Sequence, residues 1–214
     1  MGARPSGGGA NRTTREAVFK ATWEEIRRTG GYAGLSMSRI AERAGTSKAT
    51  LYRNWRDITG LLIAVMQRTI TTAAPIPNTG SLKDDLRVLA LEINNIYEHA
   101  EMRTLVGTIV AAGIQGSTDA QKVLFEFFKA RNNSAAKGIV DAAIARGELP
   151  AGTNGVDIIE TLGSLFYYRL WITQEGIDSS VAKLAADVAY AAALAGAYET
   201  KSTKPPEAEG RAKG

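Results

Sequence analysis

The segment AERAGTSKATLYRNW, residues 41–55, constrains the fold more than any other stretch of the chain. Ala41 and Ala44 are small enough for two helices to cross closely, and Gly45 can adopt the left-handed conformation that stops the first. Thr46 or Ser47 then caps a second helix, with Leu51 and Trp55 four residues apart on its inward side. Upstream, Ser36 can cap the first helix, whose inward residues are Met37, Ile40, Ala41 and Ala44. Such a pair, reversing within a few residues, is a helix-turn-helix. Thr46, Ser47, Lys48, Ala49, Thr50, Tyr52, Arg53 and Asn54 are left facing outward. Hydroxyls and the amides of a helix N-terminus suit phosphate oxygens, while lysine and arginine suit guanine edges.

A third helix precedes the pair. From Thr14 onward, Val18, Phe19, Thr22, Trp23 and Ile26 recur at helical spacing, and Gly30 and Gly31 end the run after Arg27 and Arg28. Charge agrees with this division. Residues 1–70 hold twelve lysines and arginines against five acids, a net +7, whereas residues 71–214 hold fourteen against seventeen, a net −3. A basic front and a mildly acidic remainder suit one part that meets a polyanion and one that does not.

With the preceding helix and the Leu51-Tyr52-x-x-Trp55 ending, residues 14–66 resemble the DNA-binding domain of the TetR family of bacterial transcription regulators. The resemblance rests on Gly30, Tyr32, Leu35, Met37, Ile40, Ala41, Ala44, Gly45, Thr46, Ser47, Thr50, Leu51, Tyr52, Trp55, Leu61 and Leu62. It implies that the helix from about Thr46 to Trp55 enters the major groove, with Lys48, Ala49 and Arg53 toward bases. It assigns phosphates to Ser36, Thr50, Tyr52 and Asn54, lets Ser38 reach either, and adds Arg12 or Arg15 from the arm or first helix. One departure stands out: where the family usually has a lysine at the start of the fourth helix, this chain has Ile58, preceded by Arg56 and Asp57.

The rest of the chain reads as helix. A fourth helix from about Asp57 to Thr72 carries Leu61, Leu62, Val65 and Thr69 inward, and the stretch from Pro75 through Pro77 to Gly80 breaks it. Ser81 to Asp84 forms a capping box ahead of Leu82, Leu86, Leu89, Ile93, Tyr97 and Ala100, and a shorter helix follows with Leu105, Val106, Ile109 and Val110. Thr118 to Gln121 forms another capping box, ahead of Leu124, Phe127, Phe128, Arg131, Ala135, Ile139 and Ala142; Gly147 and Pro150 end that helix. Two helices close the chain, one from about Gly155 to Gln174 and an alanine-rich one from about Ser179 to Tyr198. The expected organisation is a flexible arm (1–13), a helix-turn-helix DNA-binding domain (14–58), a helical effector-binding and dimerisation domain (59–199) and a disordered tail (200–214). The expected fold class is all-α: an N-terminal three-helix DNA-binding domain and a C-terminal helical bundle.

Two functional surfaces are expected in the C-terminal half. The resemblance implies a homodimer through the last two helices, which places Ile158, Leu162, Leu165 and Arg169 from one helix, and Leu184, Val188, Ala191, Ala192 and Ala195 from the other, at the interface. Aromatic and ionisable residues on or near apolar stripes, namely Tyr97, Phe127, Phe128, Arg131, Phe166, Tyr167 and Trp171, are candidates for a small-molecule effector site inside the bundle.

Other chemistry is poorly represented. There is no phosphate-binding glycine loop, no nucleophile elbow and no dinucleotide fingerprint, so an enzyme is not expected. Glu98, His99 and Glu101 are the only cluster of histidine with acids, and adjacent helical residues point apart, so no metal or other cofactor is expected. With no cysteine, no signal-peptide core and no apolar run long enough to span a bilayer, a cytoplasmic protein without membrane contact is expected. The expected activity is transcriptional regulation: a repressor that binds double-stranded operator DNA as a homodimer and releases it on binding a small molecule. The alternative is a dimer that binds DNA without sequence preference or effector.

Overall fold

The computed structural model describes the backbone of residues 7–73 and 75–199 and the side chains of residues 12–70 and 75–199. Residues 1–6 of the expected arm and the expected tail, 200–214, lie outside the described residues. The described elements are helices: α1 (Gly7–Thr29), α2 (Met37–Arg43), α3 (Lys48–Trp55), α4 (Ile58–Ala73), α5 (Leu82–Glu98), α6 (Ala100–Ile114), α7 (Thr118–Ala135), α8 (Asp141–Ala145), α9 (Gly155–Tyr168) and α10 (Ser179–Leu194). A π-helical turn, Ala136–Val140, joins α7 to α8, and another, Arg169–Thr173, extends α9. Among the described residues the only β-type pairing is an isolated bridge between Thr153 and Glu199.

Local chemistry sets most boundaries. Ser47 Oγ accepts the Thr50 amide at 3.1 Å, and Ser81 Oγ accepts the Asp84 amide at 3.4 Å, opening α3 and α5. At the start of α7 the cap is Ser117, whose Oγ accepts the Ala120 amide at 3.3 Å, one residue earlier than the Thr118 box expected. Asp178 Oδ1 accepts two amides, from Ser180 at 2.8 Å and Val181 at 3.2 Å, and so opens α10. That helix stops at Leu194 rather than near Tyr198, because Gly196 adopts φ +75° and turns the chain.

Two other expectations are corrected. The stretch expected to be a flexible arm is helical from Gly7 onward. Once the Thr14–Thr29 helix exists, each residue added at its N-terminus gains a ladder hydrogen bond without a new nucleation cost. Ala100, expected to continue the α5 stripe, is exposed and opens α6, because the backbone leaves helical geometry at His99 (φ −72°, ψ 112°).

Three apolar clusters organise the packing. The head cluster joins α1, α2, α3 and the start of α4 through Val18, Phe19, Ile40, Leu51, Trp55 and Leu61. A middle cluster joins α1 and α4 to α5, α6 and α7 through Ile26, Leu62, Met66, Tyr97, Val106 and Phe127. The third joins α5, the α7–α8 turn, α9 and α10 through Leu86, Leu89, Ile139, Leu162, Phe166 and Ala186. Helix α4 belongs to two of them: Leu61 and Val65 face the head, whereas Leu62, Met66 and Ile70 face the body. Rotating or tilting α4 therefore moves both.

Candidate functional site

The head presents α3 as expected from its sequence. Leu51 is fully buried, and Trp55 packs against Phe19 with ring centroids 5.8 Å apart. These two anchors leave Ser47, Lys48, Ala49, Tyr52, Arg53 and Asn54 exposed, with Thr46 and Thr50 half-buried at the edge. Gly45, at φ +64°, makes the turn, and the Thr46 amide donates back to the Ala41 carbonyl at 3.0 Å. Ser36 and Ser38 lie at the α2 N-terminus, half-buried, and the Ser36 side chain makes no capping bond. Arg12 and Arg15 lie exposed on α1, with the Arg15 guanidinium over the Phe19 ring at 5.4 Å.

The cations of the head divide sharply. Arg27 pairs with Glu101 at 2.7 Å and Arg68 with Glu16 at 3.0 Å. Arg28, Arg39 and Arg43 surround Glu25, whose side chain is fully buried beneath them. Arg28 donates to both Glu25 oxygens, at 3.0 and 2.7 Å, and Arg39 Nε donates to Oε1 at 2.6 Å. The bidentate Arg28 bond above all, and then Arg39, pull the Glu25 carboxyl down to about 2 against the opposing effect of burial. This buried acid ties α2 to α1 and so sets the angle of the motif. Lys48 and Arg53, by contrast, are exposed and pair with no described residue.

Around Arg56 the chain departs from the family pattern in a way the structure explains. Arg56 ends α3 at φ 58°, exposed and without an ion pair among the described residues. Asp57 Oδ1 accepts the Gly60 amide at 2.8 Å and starts α4. A side chain at Gly60 would overlap the Trp55 carbonyl, so the corner is tightly closed. Ile58 is half-buried and packs against both the head and the middle clusters. At this position the chain has a hydrophobic link between head and body instead of a phosphate-facing lysine.

The body encloses an aromatic site between α4, α5, α7 and α9. Tyr97, Phe127, Phe128, Arg131 and Tyr167 come together around a small cavity of about 30 Å³. Phe128 stands edge-on to both Phe127 and Tyr167, with centroids 5.1 Å apart in each case. Tyr167 stacks on Trp171 at 5.5 Å. Burial raises the Tyr97 and Tyr167 phenols above their ordinary range, so both stay neutral. A larger pocket of about 290 Å³ opens beside this cavity, and Ile70, Phe127 and Arg131 line both. Trp171 lies at the edge, facing an open groove of about 580 Å³ against α6. Phe166, expected in the effector site, packs fully buried in the α5–α9–α10 core instead.

Part of the expected dimer surface faces inward. Ile158 and Leu162 are fully buried within the chain's own core, and Leu165 is partly buried against it. Arg169 pairs with Glu175 at 3.2 Å. The outward face of this region carries Tyr168 and Ile172 after Ser164, and Leu184, Val188, Ala191, Leu194 and Ala195 on α10, with Ala192 half-buried. Sequence periodicity marks an apolar stripe but not which of two apolar stripes on one helix faces inward, so the exposure of Tyr168 and Ile172 was not legible.

A further contact was not legible in the sequence. The Tyr32 amide donates to Thr108 Oγ1 at 3.0 Å, and a side chain at Gly31 would overlap Thr108. The adjacent Gly107 leaves room for Trp171, whose Nε1 lies 2.8 Å from where a Cβ would stand. Residues 107 and 108 of α6 thus touch the aromatic site on one side and the head on the other.

The cluster of Glu98, His99 and Glu101 does not converge. Asn94 donates to Glu98 at 2.9 Å, Glu101 pairs with Arg27, and His99 is exposed between two helices. Among the described residues no group of three or more histidines or acids could hold a metal ion, and no helix is long and apolar enough to cross a membrane.

Comparison with known proteins agrees with this arrangement over nearly the whole described chain. Residues 18–65 match the family model for bacterial regulatory proteins of the tetR family, and residues 76–189 match that for the tetracyclin repressor-like C-terminal domain. The chain is 30% identical over 167 residues to the HTH-type transcriptional regulator AqdR of Rhodococcus erythropolis, covering 77% of this chain and 76% of that one. It is 28% identical over 167 residues to the HTH-type transcriptional regulator YdeS of Bacillus subtilis, covering 78% and 83%. The fold is similar to that of the TetR family regulator SCO0332, with a TM-score of 0.69 at 20% identity over 83% of this chain and 97% of that one. A TetR regulator from Agrobacterium tumefaciens gives a TM-score of 0.61 at 21% identity, covering 87% and 95%. With both halves of the chain matched in order, and with its relatives named as HTH-type transcriptional regulators, the protein belongs to the TetR family of helix-turn-helix DNA-binding transcription regulators.

Proposed function

We propose that the protein is a homodimeric repressor that releases its operator when a small molecule enters the aromatic site of the body. The observation that carries the DNA reading is the contrast among the head's cations. Five arginines pair with the acids Glu16, Glu24, Glu25 and Glu101, whereas Lys48 and Arg53 on α3, like Arg56 at its end, stand exposed without a described ion-pair partner. A protein does not need two uncompensated charges on one short helix for its own stability, but binding a polyanion does. In this reading Lys48, Ala49 and Arg53 meet base edges in the major groove. Ser36, Thr46, Ser47, Thr50, Tyr52 and Asn54 meet phosphates, with Ser38 on either and Arg12 and Arg15 adding contacts from α1.

The units are a head spanning 14–58 and an effector-binding and dimerisation domain spanning 59–199, with α4 as the rod between them. The exposed face of Tyr168, Ile172, Leu184, Val188, Ala191 and Ala195 supports pairing of two chains, since such apolar faces mark association surfaces. Two heads then read half-sites about 34–36 Å apart, or a multiple of that. Ligand entry near Ile70 displaces α4 and changes the spacing; couplings of this kind amount to about 1–3 kcal/mol. The chain's relatives and its lack of a described membrane-spanning helix support a cytoplasmic regulator.

A gel-shift titration on fragments flanking the gene, with random DNA as competitor, tests this. Binding to one fragment with a specificity ratio well above one is expected. A ratio near one points instead to the sequence-independent dimer. No binding to any fragment, alone or with cell extract, refutes both.

A further inference from the structure

We propose that the effector is a small planar aromatic acid, one or two fused rings bearing a single carboxylate that Arg131 holds. This rests on the reading of the body as an effector domain. Arg131 follows Phe127 and Phe128 by one turn of α7 and lines both the small cavity and the adjoining 290 Å³ pocket. Its Nη2 is buried and has no hydrogen-bond partner. The described acid that acts on it, Glu92 on α5, forms no ion pair with it and leaves its own Oε2 without a partner too. Burial pushes the Arg131 guanidinium down and the Glu92 carboxyl up, outweighing the attraction between them. A guanidinium left this way is a binding feature awaiting an anion, and its planar fork matches a carboxylate.

The surroundings narrow the class. Among the described residues one cation lines the two spaces, so a doubly charged phosphate is not matched. The other described polar side chains of the larger pocket, Gln67 and Ser134, are neutral. The walls are flat or branched apolar groups, among them Phe127, Ile70 and Ile76. At about 290 Å³ the pocket sits just below the roughly 300–1,000 Å³ usual for drug-sized ligands, so the occupant is compact. The 30 Å³ cavity is too small to take a ring.

The test uses the full-length protein and three probes of equal shape: 2-naphthoate, 2-naphthamide and 2-naphthylmethylammonium. Affinities come from titration calorimetry, with tryptophan fluorescence as a second signal because Trp171 stacks on Tyr167. The acid is expected to bind at least tenfold more tightly than the amide, and the ammonium most weakly. Arg131→Met should remove that preference while changing amide affinity less than threefold; Arg131→Lys, which keeps the charge but not the fork, should retain part of it. Circular dichroism and thermal melts confirm that both variants fold. Equal affinity for acid and amide, a preference that survives Arg131→Met in folded protein, or no binding by any probe overturns the proposal. Release of the operator by a neutral compound in a gel-shift screen would overturn this chemistry while leaving the ligand-responsive reading intact. An operator complex that no compound or extract dissociates would defeat that broader reading.

Discussion

Glu25→Gln is the substitution that most directly tests how the head is held together. The wild-type carboxylate is fully buried and faces Arg28, Arg39 and Arg43 from two helices. Its pKa falls from 4.5 to about 2 in the folded protein. Taken at face value that difference corresponds to about 3 kcal/mol. The arginine side chains are 48%, 50% and 38% exposed, so solvent screens them and they rehydrate when the acid is lost. A loss of about 1–2 kcal/mol at pH 7 is therefore expected. The sign with pH follows from linkage. The folded pKa is depressed, so the contribution is fully present above the unfolded glutamate's pKa and is lost as pH falls toward about 2. The gap between wild type and Glu25→Gln should be constant from pH 6 to 8 and shrink by roughly half near pH 3.3. Urea melts across this range, monitored by circular dichroism, measure it. Operator affinity should fall as well, because α2 loses its tie to α1. A destabilisation below about 0.5 kcal/mol at pH 7, or a gap that does not narrow in acid, would refute the bracing role of Glu25.

Three further outcomes follow from the geometry. Lys48→Ala should relax base preference, with a loss of about 1–3 kcal/mol at the preferred operator, whereas Tyr52→Phe should weaken all sequences similarly; binding curves on operator variants distinguish the two. Val188→Glu combined with Leu184→Glu places two charges on the exposed α10 face and should shift the protein to monomer in analytical ultracentrifugation, with operator binding lost in parallel; a persistent dimer would place the interface elsewhere. Gly31→Ala meets both an unfavourable φ of +137° and the Thr108 side chain, and should cost about 1–3 kcal/mol in a thermal melt while breaking the bond from the Tyr32 amide to Thr108; unchanged stability would show that this junction is slack.

Much of the head was legible because its determinants are local. Gly45, the Ser47 cap, and Leu51 with Trp55 act within a turn or two of the chain, and each does in the structure what its position predicts. The π-helical turn at Ala136–Val140 and the relocated cap at Ser117 were not legible, because neighbouring residues offer nearly equivalent local bonds and packing chooses between them. The site in the body was half legible. Tyr97, Phe127, Phe128, Arg131 and Tyr167 do converge, but Phe166 turns to another core from the same helix. Ile158 and Leu162 likewise face inward, while Tyr168 and Ile172 from the same segment face out.

Taken alone, the sequence determined the class of fold, the helix-turn-helix, the cationic face of α3 and the kind of regulator this is. The fold class, the motif and the cationic face follow from bonds and side-chain spacings within about four residues, which a one-dimensional pattern records, and the kind of regulator follows from the resemblance those residues carry. The tertiary structure alone decided that Glu25 gathers Arg39 and Arg43 onto α1, that Thr108 meets Tyr32, that Arg131 is left without a partner, and which stripe of α9 stays outside. Those pairings depend on how helices cross and rotate against one another. Those crossing angles follow from the packing of side chains distant along the chain, and periodicity does not record them.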